Sequence, residues 1–159
     1  MAAEYERSTT ATSLEGLPDR IRKAIVAHAQ TRMLTLQPDA QAFLTHSRRL
    51  CKPGLLARMT GSGDQDTEHL TALVIGTRDL LVATHGEQRG TTVLAARLHD
   101  VGLDSLTLAP AGDGMSVSGF ASSVEGQARV GSFYVGLGAP AGDAAREALR
   151  DAVRAAKAA

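Results

Sequence analysis

The run Thr71-Ala72-Leu73-Val74-Ile75-Gly76-Thr77-Arg78-Asp79-Leu80-Leu81-Val82-Ala83-Thr84 decides how this chain is read. Two short aliphatic runs flank Gly-Thr-Arg-Asp, and that combination predicts two strands joined as a hairpin. Strand and turn signals continue at the same short spacing on both sides. Downstream, His85–Gly90 reads as a turn, Thr92–Leu98 and Ser105–Leu108 as strands, and Pro110–Gly114 as another turn. Met115–Phe120 alternates apolar with small polar residues, as a half-buried strand does, and Arg129–Val135 is the last strand. Upstream, Leu55–Met59 is a candidate strand closed by Thr60-Gly61-Ser62-Gly63-Asp64, and Lys52-Pro53-Gly54 is a firm break. The stretch from Gly54 to Leu137 is therefore expected to form an antiparallel sandwich or barrel.

Outside that stretch the period changes. Pro18 suits the first position of a helix and Asp19 its positive end, while Ile21, Ile25 and Ala29 recur every four residues opposite Arg20 and Lys23. An amphipathic helix is expected within 17–36. At the other end, Ala145, Leu149, Val153 and Ala156 form one apolar stripe behind Gly142 or Asp143, predicting a helix over 143–158. Such a helix needs a partner surface to be stable. Gln37–Leu50 has no clean period and is expected to be a short helix running into an edge strand. The first strand is thus either 43–49 or 55–59. Residues 1–16 carry Ser, Thr, Ala and Glu without a hydrophobic period and read as a flexible tail.

Composition limits the function classes. A chain of 159 residues, 43% hydrophobic, is enough for one domain with a real core and not for two. Seventeen basic residues balance seventeen acidic ones, so no general field draws the chain to nucleic acid. With three Phe, two Tyr and no Trp it also lacks a stacking platform for single strands. Cys51 is the single cysteine, so no internal disulfide forms. The acidic start lacks a secretory pattern, and no run approaches the ~20 apolar residues of a membrane span. A cytoplasmic protein is expected.

The hairpin Ala72–Val82, the segment Leu98-His99-Asp100-Val101, and the order Gly114–Phe120, Arg129–Leu137, Ala-rich helix from Asp143 resemble bacterial pleckstrin-homology-like (PH-like) domains. The resemblance covers about Leu55 to Ala158. It implies an α+β, mainly β fold: a PH-like curved antiparallel barrel or sandwich of about seven strands, capped by a C-terminal helix. The helix before it is an addition to that plan. The implied organisation is a tail (1–16), an N-terminal helix (17–36) and a single PH-like domain (37–159).

Candidate chemistry is sparse. Asp64-Gln65-Asp66-Thr67-Glu68-His69 gathers carboxylates and an imidazole, but a calcium loop starting at Asp64 would need Gly and Glu where His69 and Ile75 stand. A solvated hairpin loop fits better, and no metal is expected. Gly136–Gly142 sits between a strand and a helix, yet too little chain follows for a dinucleotide-binding unit, so these glycines are read as a sharp turn. Cys51 and His46 lack an orienting third group, and Ser116 and Ser118 miss the nucleophile-elbow spacing. No enzyme and no cofactor are expected. Arg48, Arg49, Lys52 and Arg58 are the densest basic stretch, with charge-assisted bonds to a phosphate headgroup as their candidate role. The leading expectation is a non-catalytic interaction or scaffold module whose sheet edges take another protein or a second copy. An anionic-lipid binder is the alternative, and an unrecognised enzyme or small-ligand binder comes third.

Overall fold

The structure is a computed structural model that describes residues 5–50, 59, 66–104, 114–124 and 127–159. Among the described residues it is α+β and mainly β: two antiparallel sheets, a helix near the N-terminus and one at the C-terminus, without a closed barrel. In chain order the elements are β1 (Tyr5–Ser13), α1 (Asp19–Thr31), β2 (Gln41–Arg49), β3 (Glu68–Ile75), β4 (Asp79–Gly86) and β5 (Gly90–Arg97). A single 3-10 turn, Leu98–Asp100, leads to β6 (Gly102–Asp104), β7 (Gly114–Val124), β8 (Gln127–Gly136) and α2 (Gly142–Ala158). The first sheet runs β1-β2-β3-β4-β5 and the second β6-β7-β8, every neighbour antiparallel.

The first sheet is covered on both faces. Leu73, Leu80 and Val82 face the second sheet and α2, where they meet Val117, Phe120, Val135, Leu149 and Val153. Ala72, Val74, Leu81 and Ala83 turn the other way and bury Ile21, Ile25 and Ala29 of α1. This two-sided burial is why the 71–84 stretch is continuously apolar and does not alternate. The β3–β4 hairpin forms as expected, with Ile75 opposite Leu80. Both helices also stand where their stripes predict them, over Asp19–Thr31 and Gly142–Ala158.

Three expectations change. The stretch 1–16, expected as a flexible tail, holds a strand: Tyr5–Ser13 pairs with β2 along its whole length, from Tyr5 opposite Arg49 to Ser13 opposite Gln41. Its fully buried position is a threonine, Thr9, so no hydrophobic alternation marks it. Gln37–Leu50 contains no helix, and β2 is interior, between β1 and β3. Phe43 and Ala42 enter opposite cores, which erases any period. Third, β1 and α1 share one sheet and one core with the elements that follow residue 37. Met59, the one described residue of the candidate strand Leu55–Met59, is helical; the rest of that strand, Ser105–Leu108, Cys51, Lys52, Arg58 and Asp64 lie outside the described residues.

One irregularity shapes the second sheet. The β7–β8 register shifts between Ser118 and Phe120, where Gly119 has φ +107°. A Cβ there would stand 2.6 Å from the carbonyl oxygen of Asp100, so the bulge requires glycine for conformation and for space.

Candidate functional site

The basic stretch does not converge. Arg48 and Arg49 are consecutive on β2 and therefore leave opposite faces of the sheet. Arg48 ion-pairs with Glu6 across the β1–β2 ladder, its Nε 3.1 Å from Oε2, and both side chains are more than half exposed. Arg49 lies on the inner face with its guanidinium 5.9 Å from the ring centre of Tyr5. There it belongs to a cationic and aromatic cluster that sequence reasoning missed. Arg7 packs over Tyr5 at 4.9 Å and approaches Tyr134 at 6.0 Å, while His69 meets Tyr5 edge-on at 5.6 Å. The cluster closes one end of the space between the sheets. Below it lie buried Ser47, Thr71, Thr45 and Thr9.

The glycines of 136–142 serve this closure. A Cβ on Gly136 would fall 2.2 Å from Arg7 Nε, and one on Gly138 2.2 Å from the Arg7 carbonyl oxygen. Glycine here lets β1 lie against the chain entering α2. Gly138 N–H donates to Thr9 Oγ1 at 2.9 Å, and Thr9 exchanges backbone bonds with Ala139 and Ala141. At Thr9, the middle of β1, the outer edge is thereby bonded by the protein's own chain.

The acidic cluster also disperses. Asp66 is buried and accepts from the backbone N–H of Gln88 at 2.8 Å, from Arg89 N–H at 3.1 Å and from Arg89 Nε at 3.2 Å. It anchors the β4–β5 turn. The Gln88 N–H, followed by the Arg89 groups, lowers its pKa against an opposing effect of burial. Glu68 turns to the opposite face and meets His46 Nε2 at 3.0 Å, while His69 faces Tyr5. Ser118 Oγ donates to the Gly102 carbonyl. Among the described residues no group of three or more His, Cys, Asp or Glu stands together, and no helix is long and apolar enough to cross a membrane.

The far edge of the first sheet is different. β5 pairs with β4 from Gly90 opposite Gly86 to Arg97 opposite Asp79, and has no second strand neighbour among the described residues. Its sequence, Gly-Thr-Thr-Val-Leu-Ala-Ala-Arg, holds no proline, no bulge and one charge, at its end. Every second residue of an edge strand turns its N–H and C=O away from the sheet. At its foot β5 runs into a groove of about 970 Å³ between the α1–β2 connection, the β3–β4 turn, the 3-10 turn and the last turns of α2. Leu98, Ala152 and Ala156 line it, with Arg78, Arg97 and His99 at the rim. The sequence placed Arg78 in a turn and Arg97 at a strand end; nothing in their spacing signals that they meet.

Comparison with family models, curated proteins and solved structures gives no match for the chain.

Proposed function

We propose that the chain is a non-catalytic, PH-like interaction module that takes an extended segment of another protein along β5. One observation carries the reading: the two edges of the first sheet are treated differently. At Thr9 the outer edge of β1 is bonded to Ala139 and Ala141, whereas β5 has no second strand neighbour among the described residues. Proteins usually guard an edge with proline, charge or a bulge, because unpaired backbone groups recruit other strands. An eight-residue edge with none of these along its middle is suited to strand addition, in which backbone bonds give affinity and side-chain pockets give specificity. The PH-like assignment is supported by the sequence of strands closing on a C-terminal helix.

Headgroup binding has less support. Arg48 is matched by Glu6, and Arg48 and Arg49 diverge. Amide hydrogen exchange separates the two readings. A strand-forming partner peptide is expected to protect amides of Thr91–Ala96, and Thr92→Lys to abolish that protection while leaving the melting temperature nearly unchanged. Protection absent from β5, together with sedimentation on anionic vesicles that Arg49→Gln abolishes, would replace this reading with the lipid one.

A further inference from the structure

Resting on that reading, we infer that the segment added to β5 carries acidic residues beyond its paired stretch, and that Arg78 and Arg97 receive them in the groove at the foot of the strand. Arg97 belongs to both surfaces: it is the last residue of β5 and a rim residue of the groove. A strand laid along β5 and continued past Arg97 therefore enters that groove. Arg78 and Arg97 are exposed, and among the described residues neither makes an ion pair or a side-chain hydrogen bond. Arg48 on the same sheet is matched by Glu6, and Arg146 and Arg154 of α2 by Asp143 and Asp151, while Arg150 and Lys157 of α2 stand outside the groove.

Against the two arginines the lining sets one carboxylate, Asp79, with Asp100 just outside it. Asp79 lines the groove without pairing to either arginine, and His99 leans on Asp100 with its Nδ1 3.2 Å from Oδ1. The apolar part of the lining, Met33, Leu34, Leu98 and the alanines that end α2, accommodates the stems of glutamate or the body of a small apolar residue. A second copy of this chain fits less well. Antiparallel pairing of β5 with itself about its centre brings Arg97 opposite Gly90 of the other copy, beside an Arg89 already paired with Asp66, so it supplies Arg97 with no carboxylate. It also leaves the groove empty.

The test uses the full chain and three labelled peptides that share one alternating Thr-Val stretch and end in Glu-Glu, Gln-Gln or Lys-Lys. Anisotropy titrations at low salt are expected to rank them acidic, neutral, basic. The acidic peptide should bind about tenfold tighter than the neutral one, the scale of two surface ion pairs acting together. Added salt should narrow the difference. Arg78→Gln with Arg97→Gln should remove the preference and leave the neutral peptide unchanged, with melting curves confirming the fold. Equal binding of acidic and neutral peptides overturns the acidic assignment but keeps strand addition. Binding of none of the three overturns both. A preference that survives the double substitution, or a concentration-dependent dimer that excludes the peptides, also overturns the assignment.

Discussion

Replacing Thr9 by valine tests whether the N-terminal strand is structural, and the geometry fixes the expected size. Thr9 is fully buried; its hydroxyl lies 2.8 Å from Thr45 Oγ1 and accepts from Gly138 N–H at 2.9 Å. Valine keeps the shape and removes both bonds, leaving a buried hydroxyl on Thr45 and a partly buried N–H on Gly138 without their partner. Each group so stranded costs about 1–3 kcal/mol, so Thr9→Val should lose roughly 2–4 kcal/mol. Thr45→Val breaks only the shared bond, leaves Thr9 its bond to Gly138, and should lose about 1–2 kcal/mol. In the double variant the stranded Thr45 hydroxyl is gone, so its loss should fall short of the sum of the single losses by about 1 kcal/mol. Urea titration followed by far-ultraviolet circular dichroism suits a chain without tryptophan. A Thr9→Val loss below about 0.5 kcal/mol, or strict additivity, would refute the picture of β1 as a tied strand.

Further expectations concern the turn anchor, the bulge, the surface and acid. Because the pKa of Asp66 is lowered in the fold, the unfolded chain binds more protons in acid; its contribution is present above the ordinary value of 3.8 and lost as pH falls through the folded value. His28, lowered first by burial and then by Arg32, acts with the same sign beginning below its ordinary 6.5. Urea midpoints should therefore decline toward acid in two stages, and Asp66→Asn should flatten the lower stage; an unchanged lower stage in that variant would contradict the anchoring role. Gly119→Ala should lower the melting temperature markedly, since the new methyl meets both a positive φ and the Asp100 carbonyl, whereas Gly90→Ala meets only the positive φ and should cost less. Arg48→Gln should cost no more than about 1 kcal/mol, as an exposed ion pair does, by the same urea titration.

Hydrophobic pattern made some elements legible. Ile21, Ile25 and Ala29 wrote α1 into the sequence, and the turn between Ile75 and Leu80 wrote the β3–β4 hairpin. Pattern fails where burial is satisfied by hydrogen bonds, as at Thr9, or where both faces are covered, as at Ala42 and Phe43. The candidate site was less legible, and for a different reason. A place at the end of a sheet is a property of topology: β5 was recognisable as a strand, but nothing in Thr92–Leu98 says that it stands last among the described strands of its sheet. Arg78 and Arg97 stand nineteen positions apart and share a groove only because β4 and β5 are adjacent and antiparallel. Asp66 likewise reads as one more loop carboxylate until the turn at Gln88 and Arg89 folds onto it.

Covering the first sheet from both sides also sets how the gene tolerates change. Along Leu80–Ala83 no position is free of a neighbour, because odd and even residues press into different walls. A saturation scan should find that whole run uniformly intolerant, while β7, packed on one side, should show tolerance at Ser116 between strictness at Met115 and Val117. Variation in this protein is thereby steered away from its central strands and toward the second sheet and the rims, where new binding surfaces arise without dismantling the frame.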